Sequence, residues 1–411
     1  MKLAKLIITN FRGYKNRTEV GFNDITTFVG KNDSGKSTIL EALDIFFNDG
    51  KGCIKIDNQD INIENKNGND TDIAIEACFT DLPAEIVIDA SNKTSLKDEY
   101  LLNDDGTLHI EKIFSNASSK AKVYIIAKHP NNPNCNDLMQ LKIADLKKKV
   151  NELNIEDKVT DKTVSAAFRA AIWSYYDHEE GLSLANRKID VSKGETKSIW
   201  EQIEKYLPIY SLFQSDRSNS DSDNEVQDPL KHAVKEFLME KDVQEKLNSI
   251  AQNVIRKLED VSRRTLEKLQ EMDASVAKTL EPSIPDPSKL KWVEVFKSVS
   301  ITGDEDIPIN KRGSGVRRLI LLNFFRVEAE RKLREQASGN STASIIYAIE
   351  EPETSQHFQN QLLLVKAFKD LSSIPNVQVI LTTHSGNIVK QLDFEDIRLV
   401  DNGEVIHIHK Q

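Results

Sequence analysis

Gly30-Lys-Asn-Asp-Ser-Gly35-Lys36-Ser37 is the stretch that decides the fold. It matches the spacing G-x-x-x-x-G-K-[ST]. Two glycines let backbone N–H groups curl around an oxyanion. The following helix turns its positive end toward phosphate. Lysine at the sixth step reaches β/γ-phosphates, and the hydroxyl after it ligates Mg²⁺. The predicted cradle is Gly30, Asn32, Asp33, Ser34, Gly35, Lys36, Ser37 and Thr38.

The flanks supply the context that this motif needs. Thr26-Thr27-Phe28-Val29 is β-branched and aromatic and ends at Gly30, as a buried strand does. After the loop, apolar residues at 39, 40, 43, 46 and 47 have helical spacing. Upstream, Leu3, Leu6, Ile7 and Ile8 predict a strand, followed by the turn-like Asn10-Phe11-Arg12-Gly13. Residues 48–70 read as loop, with strands at Ile73–Phe79, Leu108–Phe114 and Lys122–Ala127. The first ~130 residues thus read as a βα unit plus an antiparallel β lobe.

Residues 136–290 read as mostly helical, with one interruption at 215–228, where five acids and one arginine mark an exposed loop. Apolar or near-apolar positions from 243 to 280 recur at a mean of 3.7 residues, so a left-handed heptad coiled coil is not indicated. Amphipathic helices packed on their own domain and a projecting arm both fit this period. Strand–helix alternation returns from about 291. Val293–Ile301, Ile345–Ile349 and Val377–Thr382 read as strands, Val316–Gln336 and Phe358–Leu371 as helices. Ile397–Val400 and Val405–Ile408 read as a hairpin around Asn402-Gly403. No internal repeat is visible.

Three further places carry chemistry. Ile345-Ile-Tyr-Ala-Ile349-Glu350-Glu351-Pro352-Glu353 is an apolar strand delivering acids at its end. Phosphoryl transfer needs one carboxylate near the metal and another group on the attacking water. Glu350 takes the first role and Glu351 the second; the plain alternative is two solvated acids in a turn. His384 ends the strand Val379–Thr383, where a neutral imidazole contacts γ-phosphate or water, although a lone histidine is equally at home as a structural residue. Gly313-Ser314-Gly315 opens a predicted helix. It is either a simple cap or a second anion cradle, suited to a nucleotide held by another copy of the chain.

In this order, these elements resemble the ABC-type ATPase heads of the SMC, RecF and OLD group, over residues 1–130 and 290–411. Asn10-Phe-Arg12-Gly-Tyr14 resembles the group's opening motif, Gly30–Ser37 its Walker A, Gly313–Gly315 its signature, Glu350–Glu353 its Walker B and catalytic glutamate, and His384 its switch histidine. The resemblance implies an α/β P-loop NTPase: an ABC-type head with a mixed sheet core, an antiparallel β lobe and a large helical insertion. The halves of the head would be 1–135 and 291–411, the insertion 136–290. It implies ATP and Mg²⁺ as cofactors, Arg12 near the nucleotide, and Gln59 with Ser37 and Glu350 on the metal. Two departures stand out. Glu350 replaces the Asp of many ABC heads, and Thr354-Ser355-Gln356-His357-Phe358 keeps only His357 of the branch's usual continuation.

The implied partner is a second copy, forming a homodimer or higher even oligomer around ATP. OLD proteins carry a C-terminal Toprim nuclease, and no such segment follows in these 411 residues. Either a separate effector, nuclease or toxin, is expected, with turnover slow without it, or the 411 residues are part of a longer chain. The OLD-like branch further implies antiphage defence, as in Gabija, Septu and PARIS systems. A RecF-like DNA-binding ATPase is the rival, supported by eight basic against three acidic residues at 311–335. A scaffold that binds ATP with little turnover is a second rival.

The net charge of −10 argues against a chain coated for nucleic acid but leaves room for a local basic groove. Three cysteines, far apart, form neither a disulfide framework nor a zinc pattern and suit a reducing cytoplasm. No apolar run approaches a membrane span, so no membrane partner is expected.

Overall fold

A computed structural model describes residues 1–49, 52–89, 92–192, 196–214, 344–354 and 358–408, with helical pieces between 238 and 256. By its contacts the chain divides into two units, residues 1–218 with 318–411, and residues 219–317. The predicted loop 215–228, strand Val293–Ile301, helix Val316–Gln336, the basic stretch 311–335 and Gly313, Ser314 and Gly315 lie outside the described residues.

The first unit holds two six-stranded sheets. The core sheet runs β10 (Ile209–Gln214), β11 (Ile345–Glu350), β12 (Val377–Thr383), β3 (Ile25–Val29), β13 (Ile397–Asp401) and β14 (Glu404–His407). Its first five strands are parallel, and β14 turns back antiparallel through the Asn402-Gly403 hairpin. All seven residues of β12 are buried, as expected for a central parallel strand covered on both faces.

The second sheet is antiparallel, in the order β2 (Thr18–Gly21), β1 (Lys2–Thr9), β4 (Asp72–Thr80), β7 (Leu108–Ser115), β8 (Lys122–Pro130) and β9 (Leu184–Asp190). A small hairpin, β5 (Ile86–Asp89) with β6 (Asn92–Thr94), stands apart. Residues 48–70, expected as loop, contain the short helix α2 (Ile63–Asn67) and bury Ile54, Ile56 and Ile61.

Helix α1 (Lys36–Asn48) joins the two sheets. Ile39, Leu40, Leu43 and Phe46 belong to one core with Phe79 of the lobe and Ile346 and Ile380 of the core sheet. Phe47 stacks on Tyr210 at 5.5 Å, and the Tyr210 hydroxyl donates to Leu40 O at 2.6 Å. A second cluster covers the opposite face of the core sheet with Leu364 and Phe368 of α6 (Phe358–Ser372) and Ile388 of α7 (Gly386–Val389).

Residues 136–214 correct the helical reading. They do contain α3 (Ile143–Glu152), α4 (Ser165–Glu180) and α5 (Thr196–Ile203). They also supply β9 to the lobe and β10 to the core sheet. Both pair with strands distant in sequence, β9 with β8 and β10 with β11, and context of that kind decides strand formation more than local propensity. Among the described residues, no helix is long and apolar enough to cross a membrane.

Candidate active site

The parallel strands end level. Gln214 stands opposite Glu350, and Glu350 opposite Thr382. Thr383 pairs with Val29, the residue before the phosphate loop. Ligands bind at such carboxyl ends in open α/β sheets. A cavity of about 700 Å³ opens there. Its lining includes Asn32, Asp33, Ser34, Gly35, Lys36, Ser37, Thr38, Glu351 and His384.

The loop is shaped by close approaches. A Cβ on Gly30 would stand 2.3 Å from Val400 O. One on Gly35, with φ 108°, would meet the Tyr14 hydroxyl at 2.9 Å. That buried hydroxyl donates to Gly35 O at 3.1 Å. Helix α1 begins at Gly35 without a side-chain cap and with no acid in its first turn. Its first N–H groups therefore lack a side-chain acceptor and suit an anion. Ser34 Oγ is buried without a partner at the same place.

Lys36 is buried, and its ammonium donates to Gly30 O at 3.2 Å and Lys31 O at 2.7 Å. Burial lowers its pKa; Glu351, Asp33, Glu350 and Glu353 oppose that shift. Three of the four opposing acids come from the end of β11. The lysine thus lies in the field of the acids assigned to metal and water.

Glu350 is the last residue of β11 and accepts from Gln214 Nε2 at 2.9 Å. Glu351 turns into the left-handed region, φ 42°, costly for a side chain of its size. Its N–H donates to Thr382 O at 3.1 Å and Thr382 Oγ1 at 3.2 Å, which hold the turn. Its carboxylate faces His384, with Oε1 2.9 Å from Nε2. Glu353 fixes the other end of the histidine: Oε1 accepts from the Thr383 hydroxyl and the His384 N–H, both at 2.8 Å.

Among the expected residues, Gly30, Glu350, Gln59 and Arg12 are not in the cavity lining, and the last two make other contacts. Gln59 is exposed in a turn, its N–H donating to Asp57 Oδ1 at 2.6 Å, and it does not line the cavity. The glutamine beside Glu350 is Gln214, at the end of the unrecognised strand β10. The signal was present, since the apolar run Ile209–Phe213 stops at Gln214, just before the acidic stretch. Arg12 does not line the cavity either. It pairs with Glu41 of α1 and, at 2.7 Å, with Asp60. One of these acids lies on the phosphate loop's own helix and the other in the segment that follows it. Gly13, Asn402 and Gly403 line the cavity without having been expected there.

The donor set fits a nucleoside triphosphate with Mg²⁺. It offers a buried lysine, an uncapped helix start, a serine hydroxyl and one carboxylate, and magnesium binds through few protein oxygens and keeps several waters. Strand, phosphate loop, helix, acid-tipped strand and histidine-tipped strand together define a P-loop NTPase. The sequence matches the AAA ATPase domain family over residues 1–389, and the chain belongs to that family.

The chain is 23% identical to Endonuclease GajA of Bacillus cereus (strain HuB5-5) over 403 residues, 92% of this chain and 54% of that protein. It therefore spans about half the length of the curated relative it matches. Among solved structures it is similar to an SMC head domain from Thermotoga maritima, with 11% identity, full coverage of both chains and a TM-score of 0.39. An Smc head bound to the C-winged helix domain of ScpA gives 13% identity, 99% and 98% coverage and a TM-score of 0.44. At such scores the fold is read from the strand order itself.

Proposed function

We propose that the chain is an ABC-type head that binds and hydrolyses ATP with Mg²⁺. The observation that carries this is the Glu351–His384 pair, held on two neighbouring strand ends and lining one cavity with Lys36 and Ser37. Lys36 and the N–H groups of the loop bind the β- and γ-phosphates. Ser37 and Glu350, the latter bonded to Gln214, hold the metal. Bound Mg²⁺ supplies charge neutralisation at the phosphates. Glu351 takes the proton of the attacking water, and His384 orients the Glu351 carboxylate.

In the fuller reading, two heads pair around ATP, each site completed by Gly313, Ser314 and Gly315 of the other copy. Hydrolysis loosens the pair, and this two-state element switches an effector, a nuclease or toxin. Resemblance to OLD-like heads and similarity to an endonuclease support an antiphage setting. Basic residues at 311–335 support the DNA-binding rival.

The test is solution mass by light scattering for Glu351→Gln, with and without Mg·ATP, beside the ATPase rate of the native chain. A rise in mass with ATP and loss of turnover is expected. A monomer at every ATP concentration overturns head pairing, and a native chain without turnover favours the ATP-bound scaffold.

A further inference from the structure

The cavity has two distinguishable ends, and the strand order tells them apart. β11 and β12, on one side of β3, carry Glu351 and His384 at their ends. β13 and β14, on the other side, carry Asn402 and Gly403 at their connecting turn. Strands lie about 4.8 Å apart, so β12 to β14 spans roughly 14 Å. The phosphate loop follows β3, between the two. Given the nucleotide reading above, on which this inference rests, the terminal phosphate faces Glu351 and His384. The nucleoside then extends toward the hairpin.

That end is built to be fixed. Asn402 and Gly403 both have positive φ, 47° and 79°, as a tight hairpin turn requires. A Cβ on Gly403 would stand 2.8 Å from Gly13 O, so the tip is seated on the turn at 10–14. The same turn reaches the phosphate loop through the Tyr14 hydroxyl on Gly35 O. Turn, hairpin tip and loop are thus mutually positioned.

Asn402 is exposed, lines the cavity, and makes no side-chain hydrogen bond among the described residues. No phenylalanine, tyrosine or tryptophan appears in the described lining, and its one imidazole, His384, is at the opposite end from Asn402. What is offered is an amide, with a donor and an acceptor side by side. Adenine presents a matching pair, the N6 amino donor and N7 acceptor, whereas guanine presents two acceptors, O6 and N7. We propose that Asn402 reads the base of the bound nucleotide and gives the site a preference for adenine over guanine.

Asparagine also suits a left-handed turn by itself, so the test variant must keep the turn. Asn402→Gly does this, because glycine adopts the same φ without strain. The full chain, with Mg²⁺, is titrated with ATP, GTP and inorganic tripolyphosphate, and Lys36→Ala marks binding that depends on the phosphate loop. The native protein is expected to prefer ATP over GTP by about tenfold, within the range for one bidentate amide–base pair. Asn402→Gly is expected to bind the two equally, with unchanged affinity for tripolyphosphate. If the native chain binds ATP and GTP alike, or Asn402→Gly keeps the preference, base reading by Asn402 is overturned while the triphosphate site stands. If no triphosphate shows Lys36-dependent binding, both readings fall.

Discussion

His384 Nε2 stands 2.9 Å from Glu351 Oε1, and the two meet because β11 and β12 are parallel neighbours in register. Glu353 holds the histidine's backbone from below while the carboxylate of Glu351 meets its ring. Replacing Glu351 by glutamine keeps the shape and removes the proposed base. ATP hydrolysis should fall by about 10²–10⁴-fold, with ATP affinity retained. Single-turnover phosphate release beside equilibrium binding separates the two effects. Equal loss in both would remove Glu351 from the chemical step.

Gln214 and Gln59 offer a direct contrast. Gln214 donates to Glu350, whereas Gln59 lies exposed in a turn. Gln214→Ala should raise the Mg²⁺ concentration needed for half-maximal ATPase several-fold, on the order of the tenfold seen when a metal ligand's partner is lost. Gln59→Ala should leave that midpoint where it was. A Mg²⁺ titration of both variants decides which glutamine serves the metal.

Gly30 is the loop residue least able to change. A Cβ there would stand 2.3 Å from Val400 O, and that neighbour is backbone, which cannot rotate away. Gly30→Ala should cost about 1–3 kcal/mol, as overpacking does, and weaken ATP binding because the loop moves with it. Urea unfolding and ATP titration of the variant read the two consequences. An unchanged affinity would mean that the loop tolerates the shift.

Arg169 of α4 and Glu99 form a bidentate pair at 2.8 and 3.0 Å, both 2% exposed. Removing one partner strands a buried charge. Arg169→Met alone should destabilise by about 3–5 kcal/mol, and Arg169→Met with Glu99→Leu should recover most of it. Denaturant melts of the single and double variants test this.

Two lobe histidines bracket neutral pH. Burial opposes charge on His109, but hydrogen bonds to Cys78 and Glu76 outweigh it and raise its pKa to about 9. Its contribution to stability is full below about 6.5, the unfolded value, and is lost as pH rises through 9. His129 is the reverse. Burial lowers its pKa to about 4, so its contribution is present above about 6.5 and is lost as pH falls toward 4. Melting temperature against pH should therefore fall on both sides. His109→Gln should flatten the alkaline side, and His129→Gln the acid side.

Much of this site is legible along the chain. The cradle from Gly30 to Thr38 is contiguous, and each of its residues except Lys31 lines the cavity or shapes the loop directly. Glu350, Glu351 and His384 are legible because each ends a strongly apolar run. Gln214 also ends an apolar run, but its partnership with Glu350 is not legible, because β10 and β11 pair over 130 positions apart. The ion pairs of Arg12 are not legible for a related reason. Its type suits a phosphate, but Glu41 and Asp60 arrive beside it from other parts of the chain.

The sequence by itself determined the phosphate cradle, the acid pair and the histidine, since glycine freedom, helix start and strand period are local properties that a short window contains. Only the tertiary structure decided that Gln214 joins Glu350, that Arg12 pairs with Glu41 and Asp60, and that the Asn402 turn lines the same cavity as the phosphate loop. Those outcomes depend on strand order and register. Order and register are fixed by burial of residues from separate parts of the chain, and no local pattern records them.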